Sequence, residues 1–178
     1  SIGCEAFESC NNLSSIELSS ELTSIGDDAF CECSSLSSIE LPSGVTNIGD
    51  RAFSGCSSLG SIKIPSGVTS IGDSVFNGCS SLSSIEIPSG VTTIGSYAFY
   101  FCSSLSSIEI PSGVTSIGSY VFGNCNNLKE IKVDEKNENY CSKEGVLYNK
   151  EETSLIQCPQ GKTGKLIVSS GVKRIECS

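Results

Sequence analysis

Isoleucine returns every 23 residues along this chain, as Ile2, Ile25, Ile48, Ile71, Ile94 and Ile117. In the same register run Phe7, Phe30, Phe53, Phe76, Phe99 and Phe122, and three residues further on Cys10, Cys33, Cys56, Cys79, Cys102 and Cys125. Leu13, Leu36, Leu59, Leu82, Leu105 and Leu128 follow, and then Ile16, Ile39, Ile62, Ile85, Ile108 and Ile131. Self-similarity at one fixed period marks a repeat architecture, in which no unit can bury its apolar face alone and each must stack on a copy of itself. A chain so constrained folds as a solenoid.

The local pattern places elements within each coil. Ile85, Glu86 and Ile87 alternate inward and outward, the period of a half-buried strand. Pro88, Ser89 and Gly90 supply turn chemistry, and Val91 to Ile94 read as a second short strand that Gly95 closes. Ala98, Phe99 and Cys102 return inward at helical spacing, which predicts a single helical or 3₁₀ turn. Pro42, Pro65, Pro88 and Pro111 have no amide to donate, so they suit a strand end where the coil turns a corner. Strands of successive coils should pair in parallel, about 4.8 Å apart, in a curved rod of seven to eight coils on the order of 35 Å long.

The period breaks after Ile117, and the next match is Val172 to Ile175. Between them, Gly145 to Tyr148 and Ser154 to Gln157 flank a polar stretch from Asn149 to Thr153, which reads as a β-hairpin with a five-residue loop. The expected organisation is regular repeats over 1–133, an expanded coil with the inserted hairpin over 134–165, and a resumed repeat over 166–178. Ser1 to Gly3 and Ile175 to Cys177 both fall inside a unit, and there is no initiator methionine. The expectation is a piece of a longer array whose uncapped ends stack or fray.

Composition narrows the chemistry. The 178 residues include no histidine, methionine or tryptophan. Without imidazole, Ser-His-Asp and Cys-His catalysis and histidine metal ligation are excluded. The serines have no base, the carboxylates face solvent, and no glycine-rich phosphate loop is present, so no catalytic constellation remains and no cofactor or metal site is expected. The net charge of −9 argues against nucleic acid, which is bound by neutralising phosphates. No apolar run reaches the roughly 18 residues of a membrane span, and no signal peptide is evident. Charge is uneven: residues 1–128 hold 12 acidic and 2 basic side chains (net −10), residues 129–178 hold 8 and 9 (net +1). This is either a solvated surface or a field that steers a partner.

Eleven cysteines invite a disulfide or metal reading. Six of them form the inward column, where parallel Cβ vectors on adjacent rungs keep Cβ atoms beyond bridging distance, so buried free thiols are expected. The others are Cys4, Cys31, Cys141, Cys158 and Cys177; Cys31 and Cys33 have the wrong spacing for zinc, and Cys141 and Cys158 bracket the hairpin closely enough to admit a bridge. Asn12 to Ser14 is a formal glycosylation sequon.

Two kinds of outward residue are candidates for contact. Glu17, Glu40, Lys63, Glu86, Glu109 and Lys132 form one strand column, in which the lysines interrupt stacked like charges. Cation or basic-partner binding through Lys63, Glu86 and Glu109 competes there with a plain solvated face. Tyr97 and Tyr120 share a register with Arg51, and Tyr100 and Phe101 follow Phe99. These four aromatics should face outward, either as contact residues or as partly packed structural ones.

The unit Leu-x-x-Ile-x-Leu/Ile-Pro, Val-x-x-Ile-Gly, Ala-Phe-x-x-Cys resembles the BspA-type leucine-rich repeat of Treponema pallidum-class surface proteins. The resemblance covers residues 1–133 directly, and the stretch from Glu144 to Tyr148 is similar to a hairpin common in that family. It implies a mainly β repeat solenoid: a right-handed, curved leucine-rich repeat with short parallel strands and helical or 3₁₀ turns. It further implies a non-enzymatic cell-surface or secreted protein. Such a protein would adhere to host, matrix or neighbouring-cell proteins through many weak, equivalent contacts. The alternative is a structural spacer or fibre former that self-associates through its solenoid ends.

Overall fold

The computed structural model describes residues 1–176, so Cys177 lies outside the described residues. The chain winds as a β-solenoid of about seven turns with 23-residue coils. The second to sixth regular coils each carry a two-residue strand ending in the repeated isoleucine: β1 (Ser24–Ile25), β2 (Asn47–Ile48), β3 (Ser70–Ile71), β4 (Thr93–Ile94) and β6 (Ser116–Ile117), and in the first coil Ile2 makes a single parallel bridge to Ile25. They pair in parallel and in register in two groups, β1 with β2 (Ile25 beside Ile48) and β3 with β4 and β4 with β6 (Ile71 beside Ile94, Ile94 beside Ile117). The other predicted strand, Ile-x-Ile, is regular in two coils only, as β5 (Ser107–Ile110) and β7 (Glu130–Val133). In the earlier coils this segment keeps its inward isoleucines but makes a single backbone bond between rungs, such as the Ser37 amide to the Ser14 carbonyl at 3.1 Å. Solvent-lined gaps separate those rungs beside Ser15 to Leu18 and Ser38 to Pro42.

No helix forms among the described residues, which corrects the expected helical or 3₁₀ turn. The spacing of Ala98, Phe99 and Cys102 arises instead from successive turns, the Tyr100 amide donating to the Tyr97 carbonyl and that of Cys102 to Phe99. Tyr97 and its counterparts Glu5, Asp28, Arg51, Ser74 and Tyr120 all sit in the left-handed region, with φ between 53° and 58°. So do Ser9, Glu32, Gly55, Gly78, Phe101 and Asn124, four residues on. Alternating hands flatten the segment, so that every second amide points along the solenoid axis rather than back into its own turn. In this segment three backbone bonds cross each of the five junctions between regular coils; between the fourth and fifth they run from the amides of Ser74, Phe76 and Gly78 to the carbonyls of Ser96, Ala98 and Tyr100.

The core is a set of columns. Phe7 to Phe122 stack ring on ring, with centroids 5.1–5.8 Å apart and planes within 13° of parallel. Phe30 to Phe122 are fully buried. At Gly26, Gly49, Gly95 and Gly118 the glycine after the isoleucine is required by close approach to backbone: a Cβ on Gly26 would lie 2.6 Å from the Cys4 amide nitrogen, and one on Gly49 would lie 2.5 Å from that of Asp27.

Beyond the sixth regular coil, β8 (Tyr140–Lys143), β9 (Val146–Asn149) and β10 (Ser154–Gln157) form an antiparallel meander, and β11 (Arg174–Ile175) joins β10 in parallel. The predicted hairpin is β9–β10, but its loop is shorter than expected because Asn149 belongs to β9. Asn149 Oδ1 accepts the Ser154 amide at 2.7 Å, and its amide nitrogen donates to Thr153 Oγ1 at 2.9 Å. The strand missed in the sequence is β8, joined to β9 through Glu144 and Gly145, both at positive φ (49° and 75°) as a two-residue primed turn demands.

Asn137 fastens the meander to the solenoid. It stands 23 residues after Val114 and is fully buried. Its Nδ2 donates to the Pro111 and Val114 carbonyls at 2.8 and 3.0 Å, and its Oδ1 accepts the Asn139 and Tyr140 amides at 2.9 and 2.8 Å. Four bonds satisfy the whole side-chain amide. Asn137→Leu keeps the volume but strands those backbone groups, so it should lower the unfolding free energy by about 2–3 kcal/mol. A denaturant titration checks this; a midpoint unchanged from wild type would mean that the meander is held elsewhere.

Candidate binding surface

The turn segment that begins after each isoleucine builds the more distinctive of two outward surfaces. Asp27 Oδ1 accepts the Asp50 amide at 2.9 Å, Asp50 Oδ1 that of Asp73 at 2.8 Å, and Asp73 Oδ1 that of Ser96 at 2.7 Å. This side-chain ladder runs beside the glycine contacts and holds the register where the backbone leaves the strand. One position further on, Arg51 pairs with Asp28 at 2.9 Å.

In the fifth and sixth coils the same positions become aromatic. Tyr97 stacks on Tyr120 with centroids 5.3 Å apart, meets Tyr100 edge-on at 5.4 Å, and Tyr100 meets Phe101 edge-on at 4.6 Å. Thus the structure brings all four predicted aromatics into one cluster. Tyr97, Phe101 and Tyr120 are exposed (39, 50 and 38 %), whereas Tyr100 is half-buried and supports the others. Their backbone explains the placement: Tyr97, Phe101 and Tyr120 occupy left-handed positions, which direct these side chains out of the coil.

Lys63, Glu86 and Glu109 are exposed on the strand segment, apart from the aromatic cluster. Lys63 and Glu86 line one shallow groove between coils, and Glu86, Glu109, Lys132 and Asp134 line the next. Glu109 stands opposite Lys132 in the β5–β7 ladder, yet the Lys132 ammonium pairs with Glu130 at 3.1 Å. The column is therefore a string of solvated charges with no shared focus.

The buried cysteine column also acts as a weak hydrogen-bonding column. Cys33, Cys56, Cys79, Cys102 and Cys125 each donate Sγ–H to the phenylalanine carbonyl one coil earlier, at 3.0–3.2 Å. Burial pushes the Cys56 thiol up to about 12 and that of Cys125 to about 11, and raises Cys79 and Cys102 well above the ordinary thiol range. Such thiols stay protonated and inert. Cys141 and Cys158 are half-buried separate thiols beside the small Val146, Tyr148 and Leu155 cluster. Among the described residues no group of three or more Cys, Asp or Glu side chains is arranged to hold a metal ion, and no helix is long and apolar enough to cross a membrane.

Comparison with known proteins supplies the context for this surface. A family model described as "BspA type Leucine rich repeat region" matches in six copies, over residues 1–129 and 52–161. A leucine-rich repeat protein from Eubacterium ventriosum is 37% identical with a TM-score of 0.80, the match covering 91% of this chain and 43% of that one. A leucine-rich cell surface protein from Faecalibacterium prausnitzii is 32% identical with a TM-score of 0.76, covering 97% of this chain and 53% of the other. The pneumococcal vaccine antigen PcpA is 29% identical with a TM-score of 0.79, covering 91% and 41%. The chain thus spans about half the length of these relatives or less. No curated protein matches it.

Proposed function

Since the chain belongs to the BspA-type leucine-rich repeat family, we propose that it is a non-enzymatic, surface-exposed or secreted protein that binds other proteins by many weak contacts. The observation that carries this reading is the exposed cluster of Tyr97, Phe101 and Tyr120 propped by Tyr100. Tyrosine and phenylalanine bury large areas at low entropic cost, and they anchor protein interfaces. The Faecalibacterium relative described as a cell surface protein, and the pneumococcal one described as a vaccine antigen, support an extracellular setting. The strand column of Glu86, Glu109 and Lys63 adds steering: exposed charges raise encounter rates more than affinity.

Near-equivalent coils make avidity the natural mode. On immobilised matrix protein, dissociation of the protein should slow at least about tenfold from sparse to dense coating. Tyr97→Ser with Phe101→Ser should weaken dense-surface binding by about tenfold or more. Glu86→Gln with Glu109→Gln should change mainly its salt dependence. Nanomolar binding that ignores both coating density and the aromatic substitutions would contradict the proposal.

A further inference from the structure

The tyrosine stack on the turn surface stops one coil short of a cation that stands in the same column. Tyr97 and Tyr120 occupy equivalent positions in the fifth and sixth coils, with ring centroids 5.3 Å apart and planes 12° from parallel. One coil earlier this position holds Ser74, and one coil before that Arg51. All four residues share the left-handed backbone, with φ between 55° and 58°, so their side chains leave the coil in the same direction. The face of Tyr97 turned away from Tyr120 therefore lies beside a hydroxymethyl group, where another ring would continue the stack. The core rings of the same coils, Phe53, Phe76 and Phe99, follow one another at 5.8 and 5.6 Å. The step from Arg51 to Tyr97 covers two such spacings, whereas stacked rings need one. A slot the thickness of one aromatic ring is left between them.

The neighbouring side chains leave this slot open. Tyr100 leans away from it, since a Cβ on Gly123 in the following coil would lie 2.6 Å from the Tyr100 ring. Glu32 folds over Gly55, where a Cβ would lie 2.6 Å from its carboxyl carbon. In the fourth coil the matching positions are the half-buried Asn77 and Gly78, and a Cβ on Gly78 would meet only the Gly55 backbone, at 3.5 Å. Ser74 and Asn77 thus put a hydroxyl and a carboxamide on the floor. The far wall is fixed as well. Arg51 Nε pairs with Asp28 at 2.9 Å, and Nη2 donates to the Cys31 thiol at 3.7 Å. Arg51 is thereby neutralised, whereas Glu32, Asp50 and Asp73 are exposed around the slot and none of them joins an ion pair among the described residues.

We propose that the slot above Ser74, between Tyr97 and Arg51, takes a tyrosine side chain of the protein partner, presented on an extended segment whose neighbouring residues are lysines. The incoming ring continues the column, stacked on Tyr97 on one side and facing the Arg51 cation on the other. Its hydroxyl meets the polar floor of Ser74 and Asn77. The flanking lysines answer the unpaired carboxylates of Glu32, Asp50 and Asp73, which favours this partner over an acidic one. The proposal rests on the reading of the aromatic surface as a protein-binding one, and it adds which side chain that surface selects and where the ring sits.

The test is an NMR titration of the chain with the unlabelled peptide Lys-Gly-Tyr-Gly-Lys, followed at the Ser74 and Tyr97 amides. Both signals should shift together, and the same peptide with alanine for tyrosine should bind at least about fivefold more weakly. Ser74→Tyr fills the slot with the protein's own ring, on a backbone conformation that tyrosine already adopts at Tyr97 and Tyr120. It should reduce binding of the tyrosine peptide to that of the alanine peptide without lowering the melting temperature. Glu32→Gln with Asp73→Asn should weaken binding about threefold at low salt and flatten its salt dependence. The pair of peptides on the unsubstituted protein decides the matter even if Ser74→Tyr folds poorly. Equal binding of the two peptides overturns the proposal, as does no binding at about 1 mM peptide. Ser74→Tyr also separates the proposal from the reading beneath it. If dense-surface binding to matrix protein survives Ser74→Tyr but is lost with Tyr97→Ser and Phe101→Ser, the slot is overturned and the aromatic surface stands; if it survives both, the two fail together.

Discussion

Phe76→Ala is expected to destabilise the protein by about 3–5 kcal/mol, the range for removing a fully buried aromatic ring from a core that cannot collapse around the space. Phe76 touches rings on both sides, with centroids 5.8 Å from Phe53 and 5.6 Å from Phe99. Its backbone cannot close the gap, because its amide and its carbonyl tie it to the neighbouring coils: the amide donates to Ala98 and the carbonyl accepts the Cys102 thiol at 3.2 Å. Solenoid stability is a sum over neighbours, so the loss should appear first as faster amide exchange in the coils on either side, with the hairpin region spared. Phe76→Leu, which keeps most of the volume, should cost about 1–2 kcal/mol. Denaturation of both variants checks the claim, and equal stabilities for alanine and leucine would refute ring stacking as the main tie between coils.

Alkaline unfolding should be unusually steep. Below pH 9 the column thiols are protonated whether the chain is folded or not, and they add no pH dependence. Above pH 9 the unfolded chain releases those protons, while the folded chain holds them until about pH 12 at Cys56 and about pH 11 at Cys125. Cys79 and Cys102 hold theirs too. Stability therefore falls as pH rises through this window, by about 1.4 kcal/mol per pH unit for each thiol. Four thiols together give a limiting slope of about 5.6 kcal/mol per unit. Tyr140 and Tyr148, whose hydroxyls are also raised by burial, act in the same direction at higher pH. Melting temperatures under reducing conditions at pH 8, 9 and 10 measure the slope. Cys79→Ala should remove about a quarter of it, at the expense of stability at neutral pH. A melting temperature that does not change between pH 8 and 10 would show that the column is hydrated.

What the sequence made legible was set by how directly a side chain reports its surroundings. The Ile, Phe, Cys and Leu columns repeat because each buries the same surface, and the structure keeps them in place from coil to coil. Backbone hand leaves no such trace. Asp28, Arg51, Ser74, Tyr97 and Tyr120 share one left-handed conformation without sharing any chemistry, and only Gly55 and Gly78 hint at the second such position. An i, i+3 spacing read alone therefore suggested a helical turn.

The break in period hid the other omissions. Tyr140 lies 23 residues after Ile117, and its hydroxyl bonds the Ile117 amide; Asn137 stands in the same relation to Val114 and caps its carbonyl. Both hold the old register with polar groups, so a search for another isoleucine passes over them. Lys63, Glu86 and Glu109 were visible as a column, but the gaps between those rungs depend on which backbone groups pair, and that lies outside side-chain pattern.

The same three turn amides and the same thiol bond recur at all five regular junctions, and the same glycine approach to backbone at four of them. A unit lost or duplicated whole in the gene would leave two surfaces that still match. Copy number can then drift by unequal recombination without breaking the fold, each unit adding or removing one neighbour contribution to stability, and the length of such a protein becomes a trait on which selection can act.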